Sequence, residues 1–203
     1  MAVTYSIQAE IIDITSDSPR AEDVFLVDTN VWYWVAYPNA TSFHSSQLSD
    51  YPNYLNGALE AGSTIHHTGL SLAELSHLIE KTEREIYTEY VSEVKPKEYR
   101  HNCAQERSRV VSEIQAAWSQ VCSLAAPLTA TIDAQTTAAA LDRFQNEMVD
   151  GYDLFILESM KSNGVVQVIT DDGDYSSVSG IQVFTANKNV VRAAENQRKL
   201  LTR

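Results

Sequence analysis

The chain has 203 residues, 44% hydrophobic and 21% charged, which fits one globular domain with a substantial core. Its net charge of −12 excludes a general nucleic-acid coat protein, since covering phosphates needs a basic surface, but leaves room for an enzyme whose acids are neutralised by divalent cations. No apolar run approaches the ~20 residues of a membrane span, and MAVTYSIQAE lacks the basic-then-apolar order of a secretory signal, so a cytoplasmic protein with no membrane attachment is expected.

Residues 4–12, TYSIQAEII, alternate loosely and predict an edge strand, with the polar run Thr15–Asp23 as a linker. Val24-Phe25-Leu26-Val27 is a short, wholly apolar strand of the kind buried on both faces of a parallel sheet. It ends at Asp28-Thr29-Asn30, and the helix-compatible VWYWVAY follows up to Pro38-Asn39. A second helix is predicted over about 45–61, stopped by Gly62, and a short strand over Ser63–His67. Ser71 stands three residues before Glu74, the capping-box spacing, where LAELSHLIEK begins. Residues 81–123 read as a helical insertion of two helices, the second starting near Pro96, with Tyr87, Val91, Val94, Val110, Val111, Ile114, Trp118 and Val121 as its apolar positions. Its Lys and Arg residues are nearly matched by Glu, so it is a charge-laced helical surface and not a basic patch. Cys103 and Cys122 fall within it without metal-ligand spacing and are expected to be reduced, mostly buried thiols.

Pro127–Ile132 closes that unit, and Asp133 is placed to cap an Ala-rich helix running through Phe144. Asp153 opens the helix LFILESMKSN, which Gly164 stops; Val165–Ile169 is a second strongly apolar strand, and Thr170–Tyr175 is its outgoing loop. A last strand, Ile181–Phe184, precedes a C-terminal helix over 188–203 that carries Lys188, Arg192, Arg198, Lys199 and Arg203 against Glu195 alone. That basic stretch reads equally as a solvated helix or as a contact for a phosphate backbone or an acidic partner. Alternation of strands and helices predicts an α/β fold, a three-layer α/β/α sandwich around a mainly parallel sheet, as one domain over 1–203 with residues 1–23 as an extension or edge strand.

The positions of the acids are the informative feature. Asp28 terminates one buried strand, Asp172 and Asp174 follow another, Asp153 sits at a helix N-terminus, and Glu74 lies at the start of a different helix. Ligand sites in open α/β sheets form beyond the carboxyl ends of the strands, so four or five acids from distant parts of the chain are expected to meet at one rim. An all-oxygen pocket suits magnesium or manganese better than zinc. Each acid also has a plainer reading: Asp28 and Asp153 as helix caps, Glu74 as the capping-box partner of Ser71, and TDDGDY as a turn rich in Asp and Gly. Glu74 and His77 form an E-x-x-H pair, but no convincing second pair completes a di-iron site. His66 and His67 alternate across a strand and do not readily share a metal. The DTN triplet departs from the haloacid-dehalogenase phosphatase pattern at Asn30 and Trp32, and no glycine-rich nucleotide loop is present. The aromatic run Trp32, Tyr33, Trp34 and Tyr37 is expected to pack the first helix or a subunit interface, with base stacking as the lesser reading.

Four segments in order resemble the PIN-domain nuclease family, which includes the VapC-type toxins of toxin–antitoxin pairs: Phe25-Leu-Val-Asp-Thr-Asn30, Ser71-Leu-Ala-Glu74, Tyr152-Asp-Leu-Phe-Ile156 and Val168-Ile-Thr-Asp-Asp-Gly-Asp-Tyr175. The family pattern is an Asp after the first strand, a helical Glu, an Asp opening a late helix, and a T-x-D-x-D-[FY] loop after the next strand. The resemblance spans about Val24 to Phe184, interrupted by the helical stretch 81–123. It implies a metal-dependent ribonuclease holding one or two Mg2+ or Mn2+ ions through Asp28, Glu74, Asp153 and Asp172, with Asp174 as an outer or second ligand. It also implies that Thr170 orients an acid or phosphate and that Asn30 holds the first Asp. Asp150, three residues before Asp153, competes for the third position, which the apolar helix immediately after Asp153 favours giving to Asp153; Asp171 is secondary. An RNA substrate, an antitoxin protein and a homodimer are the partners this likeness implies. The length of the chain, which exceeds that of the compact toxins, bears on the toxin role more than on the chemistry.

Overall fold

The structure is a computed structural model that describes residues 3–91 and 93–203. Seven strands, β1 (Glu10–Asp13), β2 (Val24–Val27), β3 (Thr64–Thr68), β4 (Ala126–Leu128), β5 (Gln167–Ile169), β6 (Gln182–Thr185) and β7 (Leu200–Leu201), form one sheet in the order β4-β3-β2-β5-β6-β1-β7. Every pairing is parallel. Because side chains alternate across a strand, each apolar strand feeds two cores. Ile12, Phe25, Val27, Ile169 and Phe184 enter one cluster. Their neighbours Ile11, Leu26, Val168 and Val183 enter the other. The first core is closed by α1 (Thr29–Ala36), α2 (Gln47–Ala61), α3 (Gly69–Tyr90) and α5 (Ala104–Leu124). The second is closed by α7 (Asp153–Ser162) and α8 (Lys188–Asn196), with α6 (Ala134–Asn146) lying outside α7. This is the expected three-layer α/β/α sandwich.

Several boundaries differ from the sequence reading for physical reasons. The first strand is not an edge: β1 lies between β6 and β7, and the edge is the short β7, formed where the predicted C-terminal helix stops at Asn196. The helix carrying Glu74 does not end near Lys81 but continues to Tyr90, so what reads as the first insertion helix is its second half. The remainder is a short α4 (Pro96–Asn102) and the long α5. The insertion is not a loose appendage, because its apolar side belongs to the main core: Ala117 and Val121 are buried against α1 and α3. Buried Glu83 also ties α3 to the Tyr37 hydroxyl and to Arg109 of α5. Residues 126–128 pair with β3 as a strand, which a Pro-containing triplet conceals. Both cysteines are free, but Cys122 is exposed and Cys103 sits only partly covered at the junction of α4 and α5. The aromatic run is core: Trp32, Tyr33 and Tyr37 are buried and Trp34 stacks on Tyr51 at 5.2 Å.

The basic C-terminal stretch is partly consumed by structure. Arg203 crosses to Asp17 at 2.7 Å and Asp23 at 2.6 Å, and lies 4.6 Å over the Phe184 ring. Burial pushes the Asp23 acid up, but hydrogen bonds from Arg203, the Arg20 backbone and Gln167 outweigh it, so the acid sits below 3.8. Arg203→Met strands two nearly buried carboxylates and is expected to cost about 3 kcal/mol at neutral pH. A lowered acid stabilises the fold above its unfolded value and loses that contribution as pH falls through its folded value. The gap in melting temperature between wild type and variant should therefore be full at pH 7 and close below pH 3.8; a gap independent of pH would contradict the pairing.

Candidate functional site

The site is assembled by the adjacency of two parallel strands. β2 and β5 pair in register Val27↔Ile169, so the residues that leave them, Asp28 and Thr170, emerge side by side. Asp28 caps α1, and its two carboxylate oxygens accept from the Thr29 backbone N–H and the Thr170 hydroxyl, both at 2.6 Å. The Thr170 oxygen also receives the Asp172 N–H at 2.9 Å and the Asn30 amide at 3.3 Å. One hydroxyl thus joins the ends of both strands. Asn30 does not touch Asp28; it acts one bond removed, on Thr170 and, through its Oδ1, on the Asp171 N–H.

Asp172 folds the outgoing loop by accepting the Asp174 N–H at 2.8 Å, which starts a 3-10 turn over Gly173–Ser177. Gly173 leaves room there for the ring of Tyr5, which the N-terminal segment lays against the loop and which a Cβ would displace. The Tyr5 hydroxyl is pushed up by burial and then by Asp174, Asp172 and Asp171. Asp153 begins α7, and one of its oxygens accepts from the buried Tyr175 hydroxyl at 2.8 Å. Asp150 stands exposed before it, its carbonyl receiving the Asp153 N–H at 3.1 Å across Gly151, whose φ of 50° a side-chain-bearing residue adopts poorly. Both acids of the ambiguous pair therefore approach the site, Asp153 at its buried floor and Asp150 at its rim.

Glu74 arrives from α3. The capping box predicted for it is absent: Thr68 caps the helix, accepting from the Ser71 N–H, and Glu74 lies past the first turn with no capping duty. Its Oε2 is buried without a partner. The neighbouring Thr29 hydroxyl holds the Glu74 acid down somewhat, and its own oxygen is likewise buried without a hydrogen-bond partner.

The four acids report one another electrostatically. Burial raises Asp28 to about 7 against the Thr170 hydrogen bond, with Glu74 and Asp172 adding to it. Asp153 rises to about 8 through burial and then Asp28, against Tyr175. Glu74 is raised by burial and by Asp172 and Asp150; Asp172 by burial and Asp150; Asp174 by burial, Asp172 and Asp150. Asp171 faces away, bonded to the Tyr51 hydroxyl at 2.6 Å and to Gln47. Among the described residues no group of three His, Cys, Asp or Glu is drawn together at ligand spacing. The acids are electrostatic neighbours rather than a closed cage. An oxygen-only donor set, an orphaned Glu74 oxygen and several raised acids are what a hard divalent ion would relieve, so the residues fit one.

A parallel sheet covered on both faces, with acids brought to one end by β2, α3, α7 and the loop after β5, matches the architecture that the motifs implied. No protein-family model and no curated protein matches the sequence. Among solved structures, the chain is similar to the VapBC2 complex of Rickettsia felis, solved bound to a DNA fragment from its promoter, at 14% identity and a TM-score of 0.46 over 80% of this chain and 98% of that one. It is likewise similar to PAE2754 of Pyrobaculum aerophilum, at 16% identity and a TM-score of 0.44 over 86% and 97% of the two chains. At these values the likeness concerns outline alone and says nothing of chemistry.

The histidines stand in other surroundings. His67 is buried against Trp118 at 4.8 Å while His66 points to the opposite side, near the Ala126 carbonyl. His77 is exposed beside Glu74 in a cleft of about 540 Å3 that Arg100 and Arg107 also line. Tyr175 belonged to the quoted loop motif without a role, and nothing in the sequence pointed to Tyr5. No helix among the described residues is long and apolar enough to cross a membrane. At pH 9, above the value to which burial and Asp28 raise it, Asp153→Asn keeps an acceptor for Tyr175 while removing one carboxylate charge. It is expected to stabilise the chelator-treated protein by about 1 kcal/mol and to shrink the rise in melting temperature that Mn2+ produces in the wild type. A variant less stable than wild type in chelator would contradict the repulsion.

Proposed function

We propose that the chain is an endoribonuclease dependent on Mg2+ or Mn2+, one or two ions being held by Asp28, Glu74, Asp153 and Asp172 with Asp174 beside them. The observation that supports this most is the gathering of one buried and three partly buried carboxylates, from four separate elements, that raise one another without a protein cation among their hydrogen-bond partners in the described residues. Such a group opposes folding unless something positive binds it.

Bound there, the metal would supply Lewis-acid activation of water and neutralise the charge that builds on the phosphate. The rest is the work of side chains. Thr170 fixes the plane of the Asp28 carboxylate and takes its own direction from Asn30. Tyr175 fixes Asp153 from beneath, and its complete burial keeps bulk water off that side. The Asp172 turn holds the loop so that Asp174 stands next to it at the mouth. In-line attack by water on phosphorus then leaves a 5′-phosphate and a 3′-hydroxyl. The motif resemblance adds an antitoxin protein as partner and a homodimer to this reading, and the sequence without a secretory signal adds a cytoplasmic setting. Co-purification and native mass measure the last two.

Purified protein is expected to cut mixed RNA in Mg2+ or Mn2+, to stop on chelation and to leave 5′-phosphate ends. Asp28→Asn and Asp172→Asn should each lose more than about a hundredfold, since partners one bond removed from a metal already cost 10–100-fold. Thr170→Val should fall in that lower range of roughly 10–100-fold. Wild type and Asp variants cutting alike, or none cutting across varied RNAs and metals, would sink the proposal. Preference for single-stranded DNA over RNA of the same sequence would move it to a DNA-directed nuclease.

A further inference from the structure

The loop residue Asp171, which the acid site does not use, holds together a second feature. Its carboxylate accepts from Gln47, whose own Oε1 accepts the His44 N–H at 2.9 Å, and its carbonyl accepts the Asn187 amide at 2.8 Å. One bond chain leads from the acid loop to the segment before α2, the other to the start of α8. Between these walls lies a cleft of about 980 Å3, in the size range of ligand clefts. Phe43, 91% exposed and edge-on to His44 at 4.8 Å, stands on one wall. Lys188 and Arg192 stand on the other, four residues apart and so on one face of α8. Among the described residues neither makes an ion pair, whereas Arg100, Arg107, Arg109, Arg143 and Arg203 are all paired to carboxylates.

In a protein of net charge −12, an open cleft with two unpaired cations on one side and an exposed aromatic ring on the other is complementary to a polyanion carrying flat apolar groups. Single-stranded nucleic acid has that chemistry: bases stack on aromatic rings while the backbone follows the cations. We propose that this cleft is the path by which a single strand enters the acid site, with Phe43 stacking a base and Lys188 and Arg192 contacting phosphates. The assignment rests on the nuclease reading for its destination, because Asp171 and Asp172 are consecutive, but its binding chemistry stands independently. The Asp171 bonds tie both walls of the cleft to the loop that also carries Asp172.

The test is fluorescence anisotropy of the full chain with a short unstructured oligoribonucleotide, the same sequence as DNA, and a duplex, in Ca2+ over a salt series, beside cleavage kinetics in Mn2+. Phe43→Ala should weaken single-strand binding roughly five- to tenfold with an unchanged salt slope, as loss of one stacked base predicts. Lys188→Gln/Arg192→Gln should flatten the slope of log affinity against log salt by about 1.4, near 0.7 per lost phosphate contact on a single strand. Both should raise KM more than they lower kcat, and the duplex should bind more weakly than either strand. RNA and DNA binding alike supports the path; preference for RNA adds a 2′-hydroxyl contact to it. Variants that bind and cleave as wild type does would overturn the path and leave the nuclease reading intact. Weakened binding in the variants, beside a wild type that binds but never cleaves, would support the path and remove the nuclease reading. Loss of a co-purifying protein partner in these variants, with nucleic-acid binding unchanged, would overturn the path in favour of a protein interface.

Discussion

The hydrogen bond from Thr170 to Asp28 is the contact on which the site depends. It spans the exits of two adjacent parallel strands, and the same oxygen receives the Asp172 N–H and the Asn30 amide. Asp28, Asn30 and Asp172 are thereby referred to one atom. Around it the protein buries carboxylates that raise one another, an arrangement that costs stability and that ordinary helix capping does not require. Asp28 does cap α1, but capping needs one acceptor, and Asp28 presents two filled by different donors. The plainer readings are therefore partly right for Asp28, which caps α1, and for the TDDGDY loop, which does turn, and wrong for Asp153 and Glu74, whose side chains cap no helix.

The two segments outside the resembling motifs both serve the acid end of the sheet. The N-terminal stretch lays Tyr5 on Gly173 and bonds the backbone of Gln8 and Ala9 to the Ser176 carbonyl, which holds the loop after β5 from outside. On the other flank, α3 runs on far enough to bind α4 and α5 through its own acids: Glu80 pairs with Arg100 and Arg107, and Glu83 with Arg109. The helix that presents Glu74 is thus anchored two turns later by the insertion. Stability and site geometry share the same contacts.

Much of this was legible along the chain. The wholly apolar tetrapeptide Val24–Val27 and the run ending at Ile169 announced strands buried on both faces, and the acids immediately after them announced the rim, because a strand's exit and its polar residue are local facts. The order of the four acids carried the family likeness. Tyr175 was visible in the motif but its bond to Asp153 was not, since the two lie 22 residues apart and meet only when α7 packs on the sheet. Tyr5, the two-residue β7 and the proline-bearing β4 left no periodic trace, being short elements defined by their partners rather than by their own residues. The mostly buried cysteines were a misreading of the same kind, because helical spacing does not say which face of α5 meets the core.

By itself the sequence determined an alternating α/β chain, the positions of its buried strands and the identity of the acids at their ends, since those follow from hydrophobic runs, breaker residues and side-chain chemistry within a few positions. Tertiary structure decided the strand order, which places β2 beside β5, and with it the meeting of Asp28, Asp153 and Asp172 with Glu74. It also decided that Asp171 turns away to tie down Gln47 and Asn187 while its neighbour Asp172 turns in. Adjacent residues with the same side chain differ there only in what long-range packing sets opposite them, and no local pattern encodes that.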